Sequence, residues 1–162
     1  GNLKQPSDFI DAAEIATQMG LPRVGLDIMS QGYTLGVLGQ GAGADRQVKL
    51  RNFISAAADK KQASLATDEA TAVKAKTGDQ LLFVGYNYVS FGQADKGLSL
   101  MKQAIEKGVA DVGMARLRLG EAQMDAGQTA NAIATFQTVE GDSAAHDIAQ
   151  LWILKLKSAS SK

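Results

Sequence analysis

The chain has no cysteine, one histidine and two prolines among its 162 residues. Without cysteine, disulfides, thiolate zinc sites, iron–sulfur clusters and cysteine nucleophiles are excluded. One imidazole cannot form a histidine-rich metal site, and we interpret His146 as a polar residue in the first turn of the last helix. The chain therefore offers little of the chemistry that metal sites and nucleophilic enzymes require.

A charge excess and long hydrophobic runs are also lacking. Seventeen Lys and Arg residues balance seventeen Asp and Glu residues, so the chain has no basic field that would attract nucleic acid or anionic lipid. No run of about 18 apolar residues, the length needed to cross a bilayer, is present. We therefore predict no nucleic-acid partner and no direct membrane insertion of this segment.

Signatures of catalysis and of cofactor binding are weak. No serine lies in a G-x-S-x-G turn, and a Ser–His–acid triad would have to use the single histidine. Gly39–Ala44 fits the dinucleotide fingerprint G-x-G-x-x-A, with Asp59 about 20 residues further on. Asp59, however, lies in an Ala- and Lys-rich segment that predicts helix, whereas the fingerprint needs an acidic residue at a strand end. We predict no cofactor, no metal, no catalytic residue and no enzyme activity.

A repeat of 35 residues dominates what is present. One segment contains Leu81, Val84, Gly85, Tyr88, Gly92, Gly97, Met101 and Ala104, and the next contains Arg116, Leu119, Gly120, Gln123, Gly127, Ala132, Phe136 and Val139. A weaker copy lies upstream as Phe9, Ala12, Ala13, Ala16, Gly20, Gly25, Met29 and Gly32. Self-similarity at this period predicts a helical array, in which neighbouring hairpins bury one another's apolar faces.

The pattern of Leu-Gly, an aromatic residue, Ala and Phe resembles the tetratricopeptide repeat, with the best match over residues 78–144. The chain departs from the tetratricopeptide pattern at Arg116 and Gln123. It also lacks the proline that often ends each repeat. The predicted fold is all-α, an α-α superhelix of antiparallel hairpins. We expect Gly85 and Gly120 to let the paired helices approach closely, while Met101 and Phe136 fill the groove between pairs.

The sequence predicts a single helical domain over residues 1–162. Its expected parts are a degenerate hairpin at 7–32, a Gly-rich loop at 33–44, a charged Ala-rich helical region at 45–77, hairpins at 78–108 and 111–141, and a capping helix at 143–157. Ser7 is a candidate cap of the first helix. Either one long helix or a second helix starting near Thr67 fits residues 45–77.

The resemblance implies that the first helix of each hairpin lines a concave groove that holds a polypeptide. The matching positions here are Asp79, Leu82, Tyr86, Ser90, Met114, Leu117, Glu121 and Asp125. Tyr86 is offset by about 200° from Tyr88 around the helix, so we expect it to lie outside the core.

We therefore predict a non-enzymatic interaction module that binds a protein or peptide. A structural spacer, with possible weak self-association, is the alternative, and a nucleotide binder or enzyme comes third. Gly1 in place of an initiating Met suggests a piece of a longer bacterial protein. If a leader segment has been lost, a periplasmic or exported location is favoured over the cytoplasm.

Overall fold

We describe a computed structural model of the chain that covers residues 3–141 and 143–159. These residues form helices, turns and bends, with no strand among them, so the all-α prediction is confirmed. The helices are α1 (Pro6–Gln18), α2 (Pro22–Thr34), α3 (Ala44–Lys74), α4 (Asp79–Ser90), α5 (Ala94–Lys107), α6 (Val112–Asp125), α7 (Thr129–Gln137) and α8 (Ala144–Ala159). They pack in adjacent pairs, α1 on α2, α4 on α5 and α6 on α7, and α8 packs on α7 and α6.

The chain divides into two compact units, Gly1–Leu65 and Ala66–Lys162, whereas the sequence predicts one domain. The boundary falls inside α3, which is one continuous helix of 31 residues rather than two. Residues 44–65 of α3 therefore belong to the first unit and residues 66–74 to the second. Because the helix continues through the division, the sequence carries no Gly or Pro signal that marks it.

The hairpins of the three sequence copies turn in the same way. Gly20, Gly92 and Gly127 close the first helix of each pair with φ of 79°, 82° and 74°. In each turn the residue after the glycine donates its N–H to a carbonyl five residues back, as Gln93 does to Tyr88 at 2.9 Å. Glycine adopts this left-handed conformation without a Cβ clash. The weak upstream copy therefore forms the same corner as the two clear ones.

Close backbone approach holds α4 and α5 together. A Cβ added to Gly97 would lie 2.4 Å from the carbonyl oxygen of Gly85. A Cβ added to Gly85 would lie 2.6 Å from Cγ of Met101, which is itself 0 % exposed. Only a hydrogen at each position lets the two backbones meet at this distance.

In the other pairs, too, a glycine at the helix contact leaves no room for a Cβ. A Cβ at Gly120 would lie 2.4 Å from Cε1 of Phe136, and one at Gly25 would lie 2.7 Å from the carbonyl oxygen of Ala13. Phe136 and its counterpart Met29 are both 0 % exposed. The prediction of close approach at Gly85 and Gly120 is therefore confirmed. Met101 and Phe136 were expected in the groove between pairs, whereas each lies against the glycine of its own pair.

The start of α1 differs from the prediction. The helix begins at Pro6, and Ser7 lies inside its first turn. The carboxylate of Asp8 instead accepts the backbone N–H groups of Lys4 and Gln5, at 2.9 and 3.0 Å. A carboxylate accepts two donors at once and is favoured at the positive end of a helix, so Asp8 stabilises this end from within the first turn. Gln5, rather than Ser7, occupies the capping position.

Residues 66–74 of α3 are tied to the α4–α5 pair through Glu69. Its carboxylate accepts a hydrogen bond from the Tyr88 hydroxyl at 2.7 Å and pairs with Lys96 Nζ at 2.6 Å. The same ammonium group lies 4.2 Å from the centroid of the Tyr88 ring. The hydrogen bonds from Lys96 and then from Tyr88 lower the pKa of Glu69. The C-terminal end of α3 is therefore anchored by polar contacts.

We predict that Gly97→Ala destabilises the chain by about 1–3 kcal/mol, because the new methyl group meets a backbone oxygen that cannot rotate away. Thermal and urea unfolding followed by circular dichroism measure the change. Gly113→Ala in α6 is the matched control, since its Cβ would have no neighbour closer than 3.4 Å. The control gains helix propensity and should be neutral or slightly more stable. Equal losses for both variants would contradict close packing at Gly97.

Candidate functional site

The predicted groove residues lie on α4 and α6, which are in contact. We define the α4–α6 face as the eight predicted positions together with Phe83 and Arg118, which occupy equivalent places 35 residues apart. The structure joins the two helices there through a hydrogen bond from the Tyr86 hydroxyl to Oδ2 of Asp125 at 3.3 Å. Equivalent helices thus lie side by side, as the repeat requires.

Tyr86 differs from the expectation that it lies outside the core, because only 8 % of it is exposed. The reason is that α4 is covered on more than one side: it packs on α5 through Gly85 and on α6 through Tyr86. Burial, followed by the negative charges of Asp125 and Glu121, raises the pKa of Tyr86 well above its usual value. Tyr86 is therefore a neutral hydrogen-bond donor between two helices.

Several other predicted positions are also used for packing. Leu82 and Leu117 are 7 % and 2 % exposed, and Leu117 belongs to a core cluster with Phe136. Met114 is partly buried against the same cluster. Ser90 donates its hydroxyl to the carbonyl of Asn87 within its own helix at 2.8 Å. These four side chains serve packing or a hydrogen bond within their own helix, so they contribute little surface for a ligand.

The charged members of the α4–α6 face are more accessible. Glu121 pairs with Arg118 at 2.8 Å, an i,i+3 contact with side chains 16 % and 29 % exposed. Asp125 is exposed at the end of α6. Arg118 and Phe83, which is 39 % exposed, are absent from the predicted set. Their spacing of three residues from Glu121 and Tyr86 places them on the same helix face and would have identified them.

Asp79 is the first residue of α4, and its carboxylate stabilises the start of this helix. Its Oδ1 accepts the N–H of Ala110 at 3.0 Å, and the N–H of Gly78 donates to the carbonyl of Gly108 at 2.7 Å. These bonds tie the start of α4 to the connection between α5 and α6. The N–H of Ala110, followed by the Thr77 hydroxyl, lowers the pKa of Asp79.

A second site lies in the first unit, where the sequence predicted none. An open groove of about 610 Å³ runs between α1 and the start of α3 and is lined by Ser7, Ile10, Asp11, Glu14, Gly43, Arg46, Gln47, Lys49 and Leu50. A second cavity of about 230 Å³ shares Glu14 and Leu50 with it and adds Thr17, Gln18, Phe53 and Ile54. We call the two together the α1–α3 groove.

The two walls of this groove carry opposite charge. α1 supplies the carboxylates of Asp11 and Glu14, and α3 supplies the cations of Arg46 and Lys49. Ile10 and Leu50, which pack against the core of the first unit, provide apolar surface between the walls. Within the part of the chain that the structure describes, neither carboxylate is paired with either cation. The groove is therefore open to a ligand that carries both signs of charge.

The Gly-rich connector fixes one end of the groove. It has no strand before it, so Gly39–Ala44 lacks the strand–turn–helix context of a dinucleotide site among the described residues. Instead the N–H of Gly39 donates to Oε1 of Gln47 at 2.7 Å, and Gln47 is only 6 % exposed. Leu38 is 2 % exposed in the core of the first unit. The connector is anchored to α3 by the hydrogen bond between Gly39 and Gln47.

Other chemistry is limited over residues 3–141 and 143–159. No cluster of three or more His, Cys, Asp or Glu side chains that could hold a metal ion occurs among them. No described helix combines the length and apolar character that crossing a membrane requires. His146 lies in the first turn of α8, as predicted, and its Nδ1 contacts the carbonyl oxygen of Val139 at 2.6 Å.

We predict that Asp79→Asn lowers the melting temperature at pH 7, because the amide keeps an acceptor oxygen but loses the charge that strengthens it. The folded-state pKa lies below the unfolded value of about 3.9, so the carboxylate stabilises the fold above that pH and loses this effect as the pH falls through the folded pKa. The difference from wild type should therefore shrink at acidic pH.

Calorimetric melting between pH 3 and pH 7 measures this difference. Asp59→Asn, the same chemical change at an exposed position of α3, is the matched control and should leave the melting temperature almost unchanged. A deficit for Asp79→Asn that is as large at pH 3 as at pH 7 would show that the charge of Asp79 is not what matters.

Comparison with protein-family models, with curated proteins and with solved structures gives no match for this chain. The tetratricopeptide resemblance of residues 78–144 therefore stays a prediction. Function is accordingly inferred from the chemistry of the α4–α6 face and the α1–α3 groove.

Proposed function

We propose that this chain is a non-enzymatic protein-interaction module that binds a segment of polypeptide. The observation that carries the proposal is the α1–α3 groove, with its acidic wall, its basic wall and the apolar surface between them. A polypeptide is the ligand class that offers N–H donors, carbonyl acceptors, charged groups and apolar side chains together.

The dimensions of the groove suit a short segment. Its α1 wall runs from Ser7 to Gln18, which at 1.5 Å per residue corresponds to about 16 Å of helix. An extended peptide advances about 3.3 Å per residue, so about five residues would fill this length. A volume of about 610 Å³ in the larger cavity is in the range of small-ligand and peptide pockets.

Phe53 is the expected anchor for an apolar side chain of the ligand. It lines the smaller cavity and is 67 % exposed, which makes it the most exposed of the large apolar residues described. Aromatic residues at the centre of an interface often contribute much of the binding energy, because they bury a large area with few rotatable bonds. The flanking Glu14 and Lys49 would then fix the direction of the bound chain.

The α4–α6 face is less suited to the same task. Leu82, Tyr86 and Leu117 are buried there, and Glu121 is already paired with Arg118. Phe83 is the main apolar group left at the surface. We therefore locate polypeptide binding in the α1–α3 groove and use Phe83 as a control.

Selection from a random peptide library displayed on phage, with the intact chain as bait, tests the proposal. An enriched peptide should bind with its affinity reduced about 30-fold or more by Phe53→Ser, the loss typical of a removed aromatic anchor. Glu14→Lys and Lys49→Glu should each weaken binding and change its dependence on salt. Fluorescence anisotropy of the labelled peptide gives the dissociation constants.

Phe83→Ser is the matched control, because it removes the same side chain from the surface of the second unit. It should leave the affinity unchanged. Loss of binding in Phe83→Ser but not in Phe53→Ser would move the site to the α4–α6 face. Failure of any peptide to be enriched above background would contradict polypeptide binding itself.

A further inference from the structure

The last described helix, α8, has apolar residues on two opposite sides. Its inner side buries Ala145, Ala149 and Ile153 against α6 and α7. Its outer side presents Ile148, Leu151 and Leu154, which are 39 %, 66 % and 66 % exposed. The three residues are spaced by three positions and so form one stripe along the helix. A stripe of three large aliphatic side chains left in water is the feature that needs an explanation.

The repeat register shows what this stripe corresponds to. Leu151 lies 35 residues after Arg116 and 70 after Leu81, and Leu154 stands in the same relation to Leu119 and Val84. In α4 these positions are 3 % and 9 % exposed, because they share the side of the helix that packs on α5. The outer side of α8 is thus the side that a second helix covers in the two preceding pairs.

A helix of the α5 or α7 type would not fit against α8 in the same way. The preceding pairs close around Gly85 and Gly120, where a Cβ would already clash at 2.6 and 2.4 Å. The equivalent residue in α8 is Lys155, whose ammonium group lies 4.6 Å from the centroid of the Trp152 ring. A partner of α8 must therefore pack at an ordinary interhelical distance of about 8–10 Å and accommodate a cation.

The outer side of α8 is arranged symmetrically about Leu151. Ile148 and Leu154 lie three residues before and after it, and both are apolar. Asp147 and Lys155 lie four residues before and after it, both exposed and of opposite charge. If two α8 helices are packed antiparallel with Leu151 at the crossing, Asp147 of each copy lies at the same height as Lys155 of the other. The stripe is complementary to itself.

We propose that the outer side of α8 is a self-association site, through which two copies of this chain form an antiparallel, two-fold symmetric dimer. Leu151 and its apolar neighbours are buried at the centre, and two Asp147–Lys155 pairs lie at the rim. An isologous contact of this kind needs only one surface patch per copy. One helix per copy is a small interface, so the dimer is a weak one that forms at high concentration. The site is independent of the α1–α3 groove.

Sedimentation equilibrium of the intact chain across a range of concentrations tests the proposal. The weight-average mass should rise from that of the 17.0 kDa monomer towards twice that value as the concentration increases. Leu151→Asp should abolish the rise by placing two carboxylates at the crossing. Phe83→Ser, which removes an apolar group from the surface of α4, is the control and should dimerise as the wild type does.

Reciprocal charge reversal tests the antiparallel register. Asp147→Lys and Lys155→Glu should each raise the dimer dissociation constant about tenfold, since each puts two like-charged pairs across the interface. The double variant restores opposite charges and should return the constant close to the wild-type value. Circular dichroism and melting of every variant confirm that α8 is still folded.

A mass that stays at the monomer value at all concentrations would overturn the proposal. Dimerisation that survives in Leu151→Asp would show that copies meet at another surface. If both single reversals weaken the dimer but the folded double variant does not regain the wild-type dissociation constant, the antiparallel register is wrong. If the chain stays monomeric and an unrelated amphipathic helix binds to α8, the outer side of α8 binds a different protein and not a second copy, and the proposal is wrong.

Discussion

The close contact of two helices at a residue that lacks a Cβ is the constraint on which the rest of this structure depends. At Gly97 and Gly120 there is no room for a methyl group, so each hairpin has one register in which its helices fit. That register sets where the large residue of the second helix lies, and Phe136 is consequently fully buried. Because each hairpin leaves an apolar side uncovered, it must pack on a neighbour, and this brings α4 and α6 together.

The sequence predicts the features that are local and repeated. A glycine at the hairpin corner and a small residue four positions before a large one recur at a fixed spacing, so their structural role follows from the period. The start of α1 was predicted less well, because Ser7 and Asp8 are both good capping residues and only the local geometry decides between them. The continuity of α3 stayed open for a similar reason, since Thr67 is compatible with a helix start and with a helix interior.

The candidate sites could be predicted only in part, since they depend on what covers each helix. The repeat register places Tyr86 and Asp125 on adjacent helices, and the structure joins them by a hydrogen bond. The repeat register does not reveal that α4 is buried on several sides. Because of this burial, Tyr86 packs between helices and does not line an open groove. The α1–α3 groove depends on the path of the connector, which is fixed by the bond between Gly39 and Gln47 and leaves no periodic signal in the sequence.

The close approach within the hairpins is tested most directly by nuclear Overhauser effects in the isotope-labelled chain. The structure predicts strong effects between the α-protons of Gly120 and the ring protons of Phe136. It also predicts effects between the backbone protons of Gly85 and Gly97. Absence of these effects in a chain whose helices are otherwise intact would contradict the account.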